Sequence, residues 1–337
     1  MLEAVVIAEP LGQESLGQGV ARFVPSWMEV FCGFPAGLEL LGESLAGRLF
    51  HDLDRSGIER LTLAVNEKLA DFDPPKKVET SLTSNVWSNA LQMLLSAKAR
   101  GVDAVVLVRL GGYVDINLVD ALQFHRDSAE TVTRVCDDEY GPLDLWIVDP
   151  ASFTEGDNLT LRLHDNRSSF KGHRYVNRLE TAQDIRRLVV DGLTGRCGFK
   201  PYGSEVRPGV WVAHGAEVKR GARLVAPVFI GRNVTVSDQC LITRCSNIES
   251  NSRIDYGTVV EDSSVLSDTY VGIGLDLSHA IADGVILQNL NYDVTVEITD
   301  PVVMGSLRQN KNRGEGSRQR FSRLRRPEDV SATHETM

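Results

Sequence analysis

Two histidines stand where proton transfer is chemically plausible. His279 lies in Asp276-Leu277-Ser278-His279-Ala280, with a carboxylate three residues ahead that can orient an imidazole. His214 lies in Val212-Ala213-His214-Gly215. Either ring suits a general base, and either equally suits a surface or capping histidine. The other histidines (51, 125, 164, 173 and 334) occupy mixed polar contexts without metal-ligand spacing. The cysteines (32, 136, 197, 240 and 245) are odd in number and form no CxxC pair, which fits reduced thiols better than disulfides or zinc. Arg174-Tyr175-Val176-Asn177-Arg178 and Arg186-Arg187 gather positive charge, either as a phosphate-facing patch or as the solvated face of a connector helix. From Arg308 to Arg326 eight basic residues accompany one acid, Glu315. That stretch reads as a solubilising, disordered tail, or as a contact for an anionic surface.

The elements that must carry these groups differ between the two halves. Stepping by six from Val206 gives Val212, Val218, Leu224, Ile230, Val236, Ile242, Ile248, Ile254, Val260 and Leu266, all aliphatic. Four residues after each aliphatic the side chains are small or β-branched, and Gly209, Gly215, Gly221, Asn233, Asn251 and Gly257 precede them. Glycine and asparagine tolerate positive φ, so a corner fits there. A period of six fits three short strands per coil, stacked into a parallel β-helix of nearly four coils. The repeat breaks near Gly272-Ile273-Gly274 and resumes weakly through Val285-Ile286-Leu287. Trp211 and Phe229 are one 18-residue coil apart at outward positions, which marks a contact with another domain or subunit.

Residues 1–200 alternate strand and helix patterns. Ala4–Ala8, Leu61–Val65, Ala104–Val108, Thr131–Val135 and Leu145–Val148 read as strands. Leu45–Arg55, Trp87–Arg100, Ile116–Asp127 and Thr181–Leu193 read as helices. Such alternation implies a mostly parallel sheet covered on both faces, with ligands beyond the carboxyl ends of its strands. The chain has 337 residues, 42% hydrophobic, with 46 acidic against 36 basic groups and a formal charge of −10. That balance argues against a nucleic-acid-coating protein. No run approaches the ~18 apolar residues of a membrane span, and Met1-Leu2-Glu3 opens no secretory signal, so a cytoplasmic location is expected.

The segment from about Glu205 to Val271 resembles the hexapeptide-repeat, left-handed β-helix family, and the handedness comes from that resemblance. An α/β half followed by such a helix resembles the sugar-phosphate nucleotidyltransferases, or nucleotide-sugar pyrophosphorylases. Strand Ala4–Ala8, Gly42-Glu43-Ser44-Leu45, Leu53-Asp54-Arg55-Ser56-Gly57-Ile58 and Val106-Leu107-Val108-Arg109-Leu110-Gly111-Gly112 carry the likeness over most of residues 1–300. The resemblance implies a nucleotidyltransferase-like (Rossmann-like) α/β domain over 1–180 and a connector helix and linker over 181–204. It implies a β-helix over 205–300 and a basic tail over 301–337. It further implies nucleotide binding near Ala8, Gly12 and Gly112, and Mg²⁺ at Asp115 if nucleotidyl transfer is retained. The implied partners are a sugar phosphate or nucleotide-sugar of polysaccharide metabolism, and other copies of the chain, a trimer being favoured.

The family's glycine-rich phosphate loop is degenerate here. It reads Ala8-Glu9-Pro10-Leu11-Gly12-Gln13-Glu14, keeping only Gly12. Pro10 deletes an amide donor, and Glu9 and Glu14 place negative charge where phosphate belongs. At ~4 Å and an effective dielectric near 20, each like-charge contact costs about 4 kcal/mol. Residues 20–35 offer Arg22 and Pro25, but no lysine. The family's Gly-Asp appears as Gly112-Tyr113, and Asp115 substitutes only if the loop re-routes; otherwise it is an N-cap or loop carboxylate. The expectation is therefore pyrophosphorylase chemistry lost or much altered. Two alternatives stand beside it. Hexapeptide β-helices include acyltransferases that use acetyl-CoA and a histidine base, which would be His279 or His214. A non-catalytic oligomerisation scaffold or regulatory subunit is the other.

Overall fold

The computed structural model describes residues 1–9, 37–69, 78–139, 141–165 and 168–308. Gly12, Pro10, Glu14, Arg22, Pro25 and nearly all of the basic tail lie outside the described residues.

The first half is built from β1 (Leu2–Ala8), β2 (Glu39–Leu40), β3 (Glu43–Ser44), α1 (Leu45–Arg55), β4 (Arg60–Asn66) and β5 (Glu79–Thr83). Then come α2 (Val86–Ala99), β6 (Ala104–Arg109), β7 (Tyr113–Ile116), α3 (Leu118–Ser128), β8 (Val132–Asp137) and β9 (Gly141–Val148). The half closes with α4 (Leu159–His164), β10 (Ser169–Phe170), β11 (His173–Asn177) and α5 (Ala182–Leu193). Seven strands form one sheet in the order β10-β8-β9-β6-β1-β4-β5. Strands β5, β4, β1 and β6 run parallel, but β9 is antiparallel to both neighbours. The sheet is thus more mixed than expected, because the β8–β9 connection is too short to cross over. The apolar faces of α1 and α3 cover one side, and α2 covers the other.

Local chemistry sets the helix starts. Ser44 Oγ accepts from the Gly47 amide at 3.0 Å, capping α1. Thr181 and Asp184 form a reciprocal capping box on α5, so Thr181 is the cap it was expected to be.

From Ser204 the chain enters three sheets in turn. One sheet takes β13 (Val210–Val212), β16 (Val228–Ile230), β19 (Asn247–Ile248), β22 (Ser264–Val265) and β25 (Ala280–Asp283), all parallel. The second takes β14 (Glu217–Val218), β17 (Thr235–Val236), β20 (Arg253–Ile254) and β23 (Thr269–Val271). The third takes β15 (Arg223–Leu224), β18 (Leu241–Thr243), β21 (Val259–Glu261) and β24 (Asp276–Ser278). Ile230, Val236, Ile242, Ile248, Ile254 and Val260 are fully buried between the sheets, where the six-residue register places them.

The register departs from expectation at both ends. Val206 is 55% exposed, because β12 (Ser204–Arg207) is a lead-in strand antiparallel to β13. Thr243 pairs with Glu261, 18 residues on, but Asn247 pairs with Ser264, 17 on. The corner Asp262-Ser263 is one residue shorter than Arg244-Cys245-Ser246 above it. Val265 therefore takes the interior position, and Leu266 packs outward against the α/β half. The repeat does not resume at Val285–Leu287, because β26 (Ile286–Asn289) turns back antiparallel on β25. Strand β27 (Val294–Glu297) pairs with β26, and β28 (Met304–Ser306) lies antiparallel to β23.

Candidate functional site

A cavity of about 410 Å³ opens beyond the carboxyl end of β6, where the sheet topology favours ligands. Its walls are the aliphatic face of α1, strand β7 and the short strand β11. Arg55, Arg174, Arg178 and Lys200 bring positive charge to its lining; Asp52, Asp115 and Asp144 bring negative charge. Burial is the main influence that raises the Asp52 carboxyl above its ordinary range, with nearby Asp115 adding to it. Burial also pushes the Tyr113 hydroxyl upward, so it stays protonated at any physiological pH. Tyr113 packs edge-on against Phe199 at 4.9 Å, and Arg48 stacks over the same Phe199 ring at 3.9 Å. Arg48 also donates to the carbonyls of Leu40, Leu41 and Lys200, which fixes the turn that brings Lys200 to the cavity.

The expected nucleotide-binding residue Gly112 and the expected metal residue Asp115 both line this cavity. Gly112 lines the cavity, and a Cβ there would lie 2.8 Å from the Asn177 carbonyl oxygen, so the glycine lets β11 pack close. Asp115 lines it too, on regular strand β7 rather than a re-routed loop, and accepts from the Gly198 amide at 3.2 Å. Asp115 is not a helix cap; Asn117 caps α3. Ala8 is buried at the end of β1, paired with Val65, and does not line the cavity. Among the described residues no group of three His, Cys, Asp or Glu could hold a metal ion. With one oxygen accepting from Gly198, Asp115 alone supplies too few oxygen donors for a hard cation.

Glu9 corrects an electrostatic expectation. It does not project its charge toward a phosphate. It is buried, 2.7 Å from Arg109, and accepts from the Trp87 indole at 3.2 Å. Its charge is neutralised inside the domain.

The second cluster lies on the coil. His279 Nδ1 is 2.6 Å from Asp262 Oδ2. Its partner is therefore Asp262, one coil back at the same corner, and not Asp276. The ring is 37% exposed. The other oxygen of Asp262 accepts from Arg186 on α5 at 2.9 Å. Cys245, Asp262 and His279 are spaced by 17 and all have positive φ, which is the sequence signal that could have paired them. His214 is exposed at a different corner, between β13 and β14, so the two histidines do not meet. Arg186 and Arg187 divide the two readings of the basic stretch. Arg187 pairs with Asp184 at 2.7 Å on the helix surface, whereas Arg186 is buried in the seam between the halves.

That seam also explains Trp211 and Phe229. They are in register, and Phe229 is fully buried against Leu40, Leu41 and Phe199 from the α/β half, so the contact is with the chain's own domain. Gly42 has φ +86°, and a Cβ there would lie 2.8 Å from the Phe229 ring. On the next coil, two residues past Phe229's register partner Asn247, Glu249 accepts from the amides of Leu41 at 2.7 Å and Gly42 at 3.0 Å, and from the Asn247 side chain at 2.6 Å.

No protein-family model matches the chain, and the search of curated proteins finds no match. No helix among the described residues is long and apolar enough to cross a membrane.

Proposed function

We propose that the chain is a sugar-phosphate nucleotidyltransferase-like protein with a left-handed coil, whose cavity binds a sugar phosphate or nucleotide-sugar without pyrophosphorylase turnover. The observation that carries this reading is the cavity at the β6 end, where five cationic side chains, Arg109 among them, and three carboxylates line one pocket. Arg and Lys suit the phosphate, and Asp52 and Asp115 suit sugar hydroxyls. Among the described residues no carboxylate group forms a metal site, so the cations of the lining hold and orient a phosphate without a metal-borne share of transition-state stabilisation.

Calorimetric titration with hexose 1-phosphates and nucleotide-hexoses, with and without Mg²⁺, tests it. Binding is expected, weakened at least about tenfold in Lys200→Ala/Arg174→Ala, as loss of ~1.4 kcal/mol of charge-assisted contact implies. Pyrophosphate-dependent turnover would overturn lost chemistry. No binding at millimolar ligand would overturn the binding reading.

The 2.6 Å His279–Asp262 contact favours a second reading, CoA-dependent acyl transfer. His279 Nε2 would take the proton of an attacking hydroxyl or amine as it adds to the thioester carbonyl. The C–S bond then breaks, and the departing sulfur receives that proton. Acetyl-CoA consumption that disappears in His279→Ala supports it; no consumption with a broad acceptor panel sinks it.

A further inference from the structure

His279 is assembled by both halves of the chain. Arg186 is 5% exposed and reaches from α5 into the coil. Its Nη1 donates to Asn247 Oδ1 at 3.1 Å and Ser264 Oγ at 2.9 Å. Its Nη2 donates to the Cys245 carbonyl at 3.1 Å and Asp262 Oδ1 at 2.9 Å. These four acceptors sit on two successive coils, so the guanidinium plane fixes one coil against the next. Only a planar fork meets this geometry; an ammonium is a point donor. The consequence falls on Asp262. With Oδ1 held by Arg186, Oδ2 is aimed at the His279 ring. A carboxylate only accepts, so the 2.6 Å contact requires Nδ1 to carry the hydrogen. The lone pair of the neutral ring is then on Nε2. The neighbouring charges do not compete, since Arg244 is taken by Glu261 at 2.6 Å.

We propose that Arg186 and Asp262 are positioning residues that lock His279 in the Nδ1–H tautomer, so that the coil's proton-accepting group is complete only when α5 is docked. This deepens the acyl-transfer reading and rests on it for function, but the lock itself is structural and can be measured without any substrate. An acceptor hydroxyl or amine is the class of group that such an Nε2 would deprotonate.

The test is long-range proton–nitrogen NMR of the full chain labelled at histidine, in the neutral-imidazole form, with exposed His214 as internal reference. His279 is expected in the Nδ1–H tautomer by tenfold or more, unlike His214. Asp262→Ala removes a side chain 36% exposed, leaves Arg186 its Asn247, Ser264 and Cys245 acceptors, and is expected to bring His279 to the His214 distribution. Arg186→Lys is expected to shift it part of the way. If Arg186→Lys does not fold, Ser264→Ala loosens the same guanidinium and is expected to do likewise. A wild-type His279 with the His214 distribution would overturn the lock. A folded Arg186→Lys, or failing that Ser264→Ala, with an unchanged His279 spectrum would remove Arg186 from it. Loss of the lock and absence of acetyl-CoA consumption are separate readouts, so either can fail alone.

Discussion

Glu249 shows how a side chain that looks ordinary in sequence can set a property of the folded chain. It is fully buried and has no cation bonded to it, only three N–H donors. Burial first, and then the charge of Glu39, push its carboxyl up to about 8. Glu39 is itself held by the hydroxyls of Ser250 and Ser267. The folded chain therefore keeps a proton that the unfolded chain, with an ordinary value of ~4.3, gives up. Such a group contributes stability in full below about pH 4.3, loses it progressively as pH rises, and contributes nothing above about 8. We expect urea midpoints to fall between pH 5 and 8, at up to about 1.4 kcal/mol per pH unit from this group. Glu249→Gln is expected to flatten that slope whatever it does to absolute stability. A slope unchanged in the variant would refute the assignment. None of this was legible in the sequence, where Glu249 falls on an outward position of the repeat. Only the neighbouring stack, Trp211 over Phe229 and then Asn247, hinted that this face of the coil is covered.

At the scale of elements, the coil was the most legible part of the chain, because its period is enforced by volume. Each turn must present an aliphatic to a narrow interior, and the hexad states that requirement directly. Ile254 is fully buried between sheets, so Ile254→Ala is expected to cost about 2–5 kcal/mol. Val206→Ala, at the same hexad position but on the exposed lead-in strand, is expected to cost well under 1 kcal/mol. Equal losses in chemical denaturation would contradict the register. What the period concealed is the single missing residue at Asp262-Ser263. It exchanges Leu266 for Val265 in the interior and turns both Leu266 and Ile281 toward the α/β half. The same one-residue slip places Asp262 and His279 on one corner, 17 residues apart, whereas Asp276 suggested itself only by lying three residues ahead in sequence. In the first half, strand–helix alternation and the cavity's place at the β6 end were readable. The cationic lining was less so. Lys200 and Arg55 join Asp115 only through tertiary packing, and no local pattern announces that.

For the whole molecule, the question is whether the two halves, which form one compact unit over Met1–Leu307, also unfold as one. Interfaces between domains of one chain usually permit motion unless they are large and apolar. Here Leu40, Leu41, Leu188, Phe199, Phe229 and Ile281 form one buried cluster drawn from both halves. Two buried ionisable residues, Arg186 and Glu249, have their hydrogen bonds completed only across the seam. Separating the halves would expose the aromatics and leave both polar groups without those partners, and each of these costs free energy. The described body should therefore unfold as one cooperative unit, with sheet-side tryptophan fluorescence and far-ultraviolet dichroism losing signal at the same temperature. Trp87 and Trp146 report the α/β half and Trp211 the seam, so replacing both Trp27 and Trp211 by Phe isolates the first signal. Phe229→Ala removes a fully buried ring at the centre of the seam and is expected to cost about 3–5 kcal/mol. Because that loss falls on the contact rather than on either interior, it should also pull the two probes apart, the coil persisting after the α/β sheet has melted. Two separated transitions in the unaltered chain would show that the seam does not couple the halves, and would remove the physical basis for a histidine site that depends on both.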